Sequence, residues 1–572
     1  MSSTKMNKNE INAIFKKVKF ESKTVGALPI INHFFKRLKL HQLFSTYIPS
    51  KSSQKLSHTD AILLFIRNIL VERDPLYQLS EWTANYDLYL VGLKDAKPSI
   101  LNDDRVGRSL DALFETDRAS ILTQLIVHTI SEFNIELSRF HNDSTTVTVY
   151  GKYKNQNCKS LVLTHGNNKD HRPDLKQLVF SLTISSDGAV PIHYKIFDGN
   201  KTDDKTHIEM WESLRMITEN SDFIYVADSK LCTREQMAYI DQNDGKFITV
   251  LPKTRAEDAW FREWMKSNHV GWVEVLKVPA RNNNNRQNEE IVYHGFESPE
   301  SSSEGYRIIW FLSSQKKELD ESIRKHKVEK TIKALAKLKG KTGKRKLKTP
   351  EQITKAVQTI FDKHNSTDWF DWELTKQEIE YVKQKGKGRP GKNTTYIRIK
   401  KEKWSFRANP NALKIKTSAI TDGIFPLITN IKSDTLSIKD ILLKYKYQPF
   451  IEKRNEQLKS VFKVVPIYLK RVHRIEALMF IYFVILLINA LIERELRMAM
   501  KGENINALPL YPEQRKCKHP TTERIITLFS NLRKHSFTCN RKAVKTYHDP
   551  ISELQKKILQ LLNVPMHHYF SE

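Results

Sequence analysis

Three carboxylates are the side chains of this sequence best placed to do chemistry. Asp143 lies in the Thr/Val-rich run from Phe140 to Tyr150, which reads as a strand. Asp228 follows the continuous apolar run Phe223–Ala227. Such a run suits a strand buried on both faces, and the carboxyl end of a strand is where open α/β sheets place their ligands. A charge that ends a buried strand needs compensation, and a metal ion is one way to supply it. Taken singly, each Asp reads equally well as a strand-end or turn residue. The third, Glu452, follows Tyr445 and Gln448 and precedes Lys459 at spacings of 3, 4 and 7. At about 100° per residue these four fall on one helix face. Glu452 and Lys459 hold that relation most firmly, because Pro449 either starts the helix or kinks it. A carboxylate beside a phenol, an amide and an ammonium makes a face that binds a metal and grips phosphate; a solvated polar face has the same pattern.

The elements needed to position these groups are legible in outline. Up to about residue 130 the pattern is helical, with Ala61–Leu70 behind the cap-like Ser57 and Asp60, and apolar residues at helical spacing from Ser109 to Phe133. Then Leu178–Ile184 alternates, Asp187-Gly188 signals a turn, and Val190–Phe197 reads as the returning strand. Helices over Thr206–Ile217 and Thr233–Asp241 alternate with strands over Phe223–Ala227 and Phe247–Leu251, a mixed α/β order. Residues 254–430 break that rhythm with polar tracts at Asn282–Asn285 and Ser301–Ser303. They also hold Lys316–Lys348, with 14 Lys/Arg against 4 acids. That segment is either a solvated helix with a flexible basic tail or an arm that tracks a DNA backbone.

Together these blocks resemble the DDE transposases of bacterial insertion sequences. The branch concerned has a β-strand insertion and the signature Tyr-x2-Arg-x3-Glu-x6-Lys, which here reads Tyr445-x2-Gln448-x3-Glu452-x6-Lys459. His165–Gln177, Val226–Leu231, Asp422–Asn430 and His473–Leu487 resemble four further blocks of that family in the same order. The departure is Gln448, which replaces a permanent charge and a bidentate phosphate fork by a neutral amide. The resemblance implies a ribonuclease H-like core interrupted by a β-rich insertion domain, with helical N- and C-terminal regions. On that basis the chain divides into a DNA-end-binding region (1–130), the first part of the core (131–253), the insertion (254–430), the second part of the core (431–500) and a C-terminal region (501–572).

It implies two Mg²⁺ or Mn²⁺ ions, with Asp143 bridging them and Asp228 and Glu452 completing one each. It further implies metal-dependent cleavage at terminal inverted repeats and attack of the freed 3′-OH on target DNA, by a homodimer on paired ends. Lys459 and Tyr445 would hold the terminal phosphate, and Gln448 would donate one hydrogen bond to DNA. His165, Arg172 and Lys176 would touch the backbone. Lys387-Gly388-Arg389-Pro390 resembles the short cores that slide an Arg into an A·T-rich minor groove, although a solvent-exposed turn has the same composition.

Composition points the same way. Lys and Arg outnumber Asp and Glu by 94 to 65, giving +29. A charge of that size suits a polyanion, and its spread along the chain favours nucleic acid over a membrane surface. Four scattered cysteines suit a reducing compartment. The polar, charged start shows no apolar run of the secretory kind, and a cytoplasmic, nucleoid-associated bacterial protein is expected. Ala477–Ile492 is apolar but short for a span and flanked by charges, so a buried core helix is expected. Cys517, His519, His535 and Cys539 lack zinc spacing, and no Walker-type loop calls for ATP. A DNA-binding protein of the same fold without cleavage, or a repair or RNA-processing nuclease, are the alternatives.

Overall fold

A computed structural model of the chain describes residues 18–570 apart from 52–53, 94–96, 154–160, 170–171, 202–205, 280–289, 341–346, 463–466 and 540–541. The Asn282–Asn285 tract and residues 341–346 of the Lys316–Lys348 segment therefore lie outside the described residues. The fold is mixed α/β and divides into two compact units, residues 1–249 with 443–572, and Val250–Leu442.

In the first unit, β1 (Val18–Thr24) precedes a set of helices, among them His58–Val71, Asp103–Glu115 and Arg118–Phe133. Each of these three has a side-chain cap: Ser57 accepts from the Asp60 amide, Asn102 from Arg105 and Asp117 from Ser120. The cap at Asp117 explains why the apolar periodicity from Ser109 to Phe133 is carried by two helices. Next come β2 (Arg139–Val149), β3 (Lys176–Ser185), β4 (Pro191–Asp198), β5 (Ile224–Val226) and β6 (Lys246–Val250), in the spatial order β4-β3-β2-β5-β6. The first three form an antiparallel meander; β5 runs parallel to β2, and β6 parallel to β5. The β3–β4 turn takes positive φ at Gly188 and Ala189, as the Asp-Gly signal requires.

The helix Val472–Gly502 is the spine of this unit. It is long and apolar enough to cross a bilayer, but its most apolar window is 94% buried inside the protein. One of its buried charges is matched: Glu493 pairs with Arg454 at 2.9 Å, both side chains at most 4% exposed.

The second unit holds β7 (Val273–Pro279), β8 (Glu290–Glu297), β9 (Arg307–Ser313) and β12 (Ile424–Thr429), all antiparallel in the order β12-β9-β8-β7. A separate two-stranded ribbon is made of β10 (Phe370–Gln384) and β11 (Tyr396–Pro410). The basic segment that begins at Lys316 is a helix, Ser314–Lys339, whose Arg324, Thr331, Leu335 and Leu338 are buried, so its inner side is structural.

The termini differ from expectation. They are not purely helical, because β1 pairs with β13 (Arg533–Cys539), which pairs with β14 (Lys542–His548). Lysine-rich alternation hid β1, where Val18, Phe20 and Ser22 interleave with Lys19, Glu21 and Lys23. Phe20 packs on Phe537 with ring centroids 5.1 Å apart, the kind of cross-strand pair that fixes such a sheet.

Candidate active site

The parallel pairing of β2 and β5 sets two of the three carboxylates at one level. His141 is opposite Val226; two residues further on stand Asp143, within β2, and Asp228, just past the end of β5. Asp143 is mostly buried, with 18% of its side chain exposed. Burial pushes its carboxyl up to about 6, helped by the negative charge of Asp228 and opposed by Lys169 and by Asn455. Asp228 is more open. Its carboxylate accepts from the Lys230 amide at 3.0 Å, and its backbone carbonyl accepts from the buried Thr249 hydroxyl at 2.5 Å. His207 Nε2 lies 4.0 Å from Asp228 Oδ1, and Nδ1 of the same ring lies 3.0 Å from the Tyr225 hydroxyl.

Glu452 belongs to the helix Gln448–Glu456, which packs across β2. Pro449 occupies the first turn, where a missing N–H goes unused, so the preceding helix stops at Tyr445. The single face expected for Tyr445, Gln448, Glu452 and Lys459 is accordingly broken. Tyr445 sits at the end of another helix. Lys459 falls in a π-helical turn, Gln457–Val461, which shifts it off the regular α-helical phase from Glu452. The relation of Glu452 to Lys459 read from spacing is corrected by that turn.

Tyr445 nevertheless stands by the acids. Burial, then Asp228, Glu452 and Asp143 in that order, push its phenol up to about 12. One hydroxyl thus feels all three carboxylates. Among the described residues no three His, Cys, Asp or Glu side chains close into a metal-holding cluster. The pattern is two coupled aspartates with an exposed glutamate beside them. Such an oxygen-only donor set fits a hard divalent cation, which keeps waters and accepts few protein ligands. The raised carboxyl of Asp143 comes first from burial, which deprives its ionised form of water, with Asp228 adding to it.

Gln448 is where the expectation of DNA contact is corrected. It is buried, with 6% exposed. Its Nε2 donates to the Asn142 carbonyl at 3.0 Å, and its Oε1 lies 2.9 Å from Nδ1 of His141. Burial holds the His141 ring at about 3, hence neutral, and a protonated Nδ1 donates to that amide oxygen. The amide is consumed in tying the Glu452 helix to β2.

Arg172 is exposed and forks onto Asp174 at 2.8 and 2.7 Å. Lys176 is paired with Val149 at the far end of β2, six residues or roughly 20 Å from Asp143 at about 3.3 Å per residue, and its Nζ donates to the Tyr153 carbonyl. Neither joins the carboxylates, and His165 is exposed. Lys387 and Arg389 are exposed at the tip of the β10–β11 ribbon.

Two groups that do touch the centre are absent from the expected set. Lys169 Nζ is 3.8 Å from Asp143 Oδ1 and donates to the Ser144 carbonyl at 2.5 Å. Asn455 Nδ2 donates to Asp143 Oδ2 at 2.9 Å. Asn455 is one turn beyond Glu452, a spacing that signals a shared face; Lys169 lies inside the His165–Gln177 block without a spacing of its own to mark it. Behind them Arg454 donates from Nε to Ala189 O at 3.0 Å and from Nη2 to Gly188 O at 3.2 Å, while also pairing with Glu493. That residue locks the Glu452 helix to both the β3–β4 turn and the spine helix.

Comparison with known proteins adds little to this geometry. Residues 20–127 match a family described as domain of unknown function (DUF4277), a stretch that ends before Asp143. No curated protein matches the chain. Two solved structures with some likeness are a piggyBac transposase synaptic complex with hairpin DNA and a Mos1 transposase paired-end complex with left transposon end. The first has TM-score 0.38 and 9% identity over 87% of this chain and 79% of that one. The second has TM-score 0.14 and 11% identity over 38% and 65%. Superpositions this distant carry no weight in the reading of the site.

Proposed function

We propose that the chain is a DNA transposase of the DDE kind, cutting at the terminal inverted repeats of its own element and joining the ends to target DNA. The observation that carries this is the pairing of β2 with β5, which sets Asp143 and Asp228 at one level, together with the Asn455–Asp143 hydrogen bond that brings the Glu452 helix to them. The strand order β4-β3-β2-β5-β6, followed by the second unit before the chain returns with Glu452, supports a ribonuclease H-like core with an insertion.

Asp143, Asp228 and Glu452 would hold two Mg²⁺ or Mn²⁺ ions. When bound, such ions supply an activated water and neutralise charge at phosphorus. The protein's own contribution is positional. Lys169 and Asn455 fix the two oxygens of Asp143, Thr249 and the Lys230 amide orient Asp228, and Arg454 anchors the helix that presents Glu452. Tyr445, with a phenol that stays protonated at neutral pH, offers a hydrogen bond to a phosphate oxygen. The preferred partner is duplex DNA, with assembly as a homodimer on paired ends.

The test is incubation of the purified chain with Mg²⁺ and a duplex carrying the sequences that flank its coding region. Strand cleavage at the repeat boundary, abolished by Asp143→Asn, is the expected result. Intact DNA across Mg²⁺ and Mn²⁺ would instead favour a protein of this fold that binds DNA without cutting, the reading to which Gln448 and the open position of Glu452 lend support.

A further inference from the structure

The β10–β11 ribbon has a chemical asymmetry that the carboxylate centre does not use. Its base is mounted on a small core of its own, where Phe370 and Phe406 pack with Leu335, Leu338, Ile353, Val357 and Phe361. From there the ribbon runs outward with almost every side chain exposed. The pairing continues to Gln384↔Tyr396, and the Lys385 amide donates to Thr395 O at 2.9 Å. From Gln377 to Lys385 this is roughly 25–30 Å at about 3.3 Å per residue.

Directly opposed residues share a face, so the register sorts the charges. One face carries Lys376↔Trp404, Glu378↔Glu402, Glu380↔Lys400 and Val382↔Arg398. All three acids between Thr375 and Ser405 are there, and two are matched on the spot, Glu402 by Lys376 at 2.6 Å and Glu380 by Lys400 at 3.1 Å. The other face carries Thr375↔Ser405, Gln377↔Lys403, Ile379↔Lys401, Tyr381↔Ile399 and Lys383↔Ile397, with no acid. Its three lysines lead to four more basic residues in the tip, Lys385, Lys387, Arg389 and Lys392, all exposed.

The tip is also shaped. Gly388 takes φ 130, open to glycine alone, and its carbonyl accepts from Gln384 Nε2 at 3.2 Å. Gly391 N donates to Thr394 Oγ1 at 2.7 Å. Arg389 and Pro390 are thereby presented at the end of a closed loop.

We propose that this ribbon is a DNA-bending arm. The lysine face lies along a phosphate backbone, Arg389 enters the minor groove, and Pro390 is the apolar wedge that partly unstacks a base step. Charge complementarity names the occupant, because seven cations without an acid match a polyanion. A basic ribbon whose cationic tip carries a proline beside an arginine suits a groove whose distortion is driven by side-chain insertion. The arm shares with the proposed transposase reading only the premise that DNA is the ligand, and needs none of the carboxylates.

The full chain is titrated in EDTA onto a 30-base-pair duplex with an A·T centre, labelled at both ends. Anisotropy gives affinity between 50 and 200 mM salt; energy transfer gives the bend. Joint replacement K383A/K401A/K403A should lower the slope of log affinity against log salt by about 3, near 0.9 per lost phosphate contact. Pro390→Ala should keep affinity within a few-fold yet lose the rise in energy transfer, and Arg389→Ala should abolish preference for an A·T over a G·C centre. The opposite-face pair K376A/K400A should change neither slope nor bend. An unchanged slope in the triple variant, wild-type bending in Pro390→Ala, or a triple variant that alters oligomeric state while binding DNA normally would overturn the proposal. A chain that binds and bends but never cuts would defeat the catalytic reading alone.

Discussion

The carboxyl of Asp143 is held near 6 by burial, against about 3.9 for an ordinary aspartate. Its neutral form is thus favoured in the folded chain, so this group weakens folding as pH rises from about 4 to about 6, and the penalty persists above. The difference amounts to about 3 kcal/mol. In EDTA, Asp143→Asn should therefore be more stable than the parent above pH 6, by up to that amount, and equal to it below pH 4; urea titrations at several pH values read this directly. Gln448 makes a second case. An Arg there would bring a charge into a buried position and, having no acceptor, leave His141 Nδ1–H unpaired. Gln448→Arg, the change that restores the family signature, should destabilise the chain by about 2–3 kcal/mol and not raise activity. Sequence could nominate Asp143, Asp228 and Glu452 because each had a pattern around it. The inward turn of Gln448 had no such mark, since its partner His141 is more than 300 positions away.

Elements were legible where periodicity was strong. The meander, β5 and β6 stand where alternation or apolar runs placed them, within a residue or two, while the spine helix extends five residues before and ten beyond the apolar run Ala477–Ile492. What periodicity missed is what breaks it. Pro449 divides Tyr445 from Glu452, and the π-turn at Gln457–Val461 moves Lys459 off phase. β1 was concealed because it is exposed and lysine-rich, and its pairing partner lies at the other end of the chain. The mounting of the Glu452 helix rests on Arg454 and Glu493, a buried pair that a single truncation would leave half-compensated. Arg454→Ala should cost about 3–5 kcal/mol in urea unfolding, and the double replacement with Glu493→Ala should cost less than the sum of the two.

At the scale of the whole molecule, the net charge of +29 suits a polyanion, and the most apolar window of the spine helix is 94% buried inside the protein. In a flotation assay with neutral phosphatidylcholine vesicles the chain should stay at the bottom of the gradient without detergent. Division into two units places Asp143, Asp228 and Glu452 in one and the ribbon with its lysine face in the other. The proposed cutting and the proposed bending are then separable by mutation, which the sequence alone could not show because the faces of β10 and β11 depend on their register.

The central claim is that Asp143, Asp228 and Glu452 act as one centre. The most direct measurement is the Mg²⁺-dependent cleavage rate of Asp143→Asn, Asp228→Asn and Glu452→Gln, each compared with the triple variant. Groups that act as a unit are grossly non-additive. Each single change should reduce the rate by at least about a hundredfold, and the triple variant should be no slower than the worst single one. Losses that multiply across the three sites, or any one variant cutting at the parent rate, would contradict it.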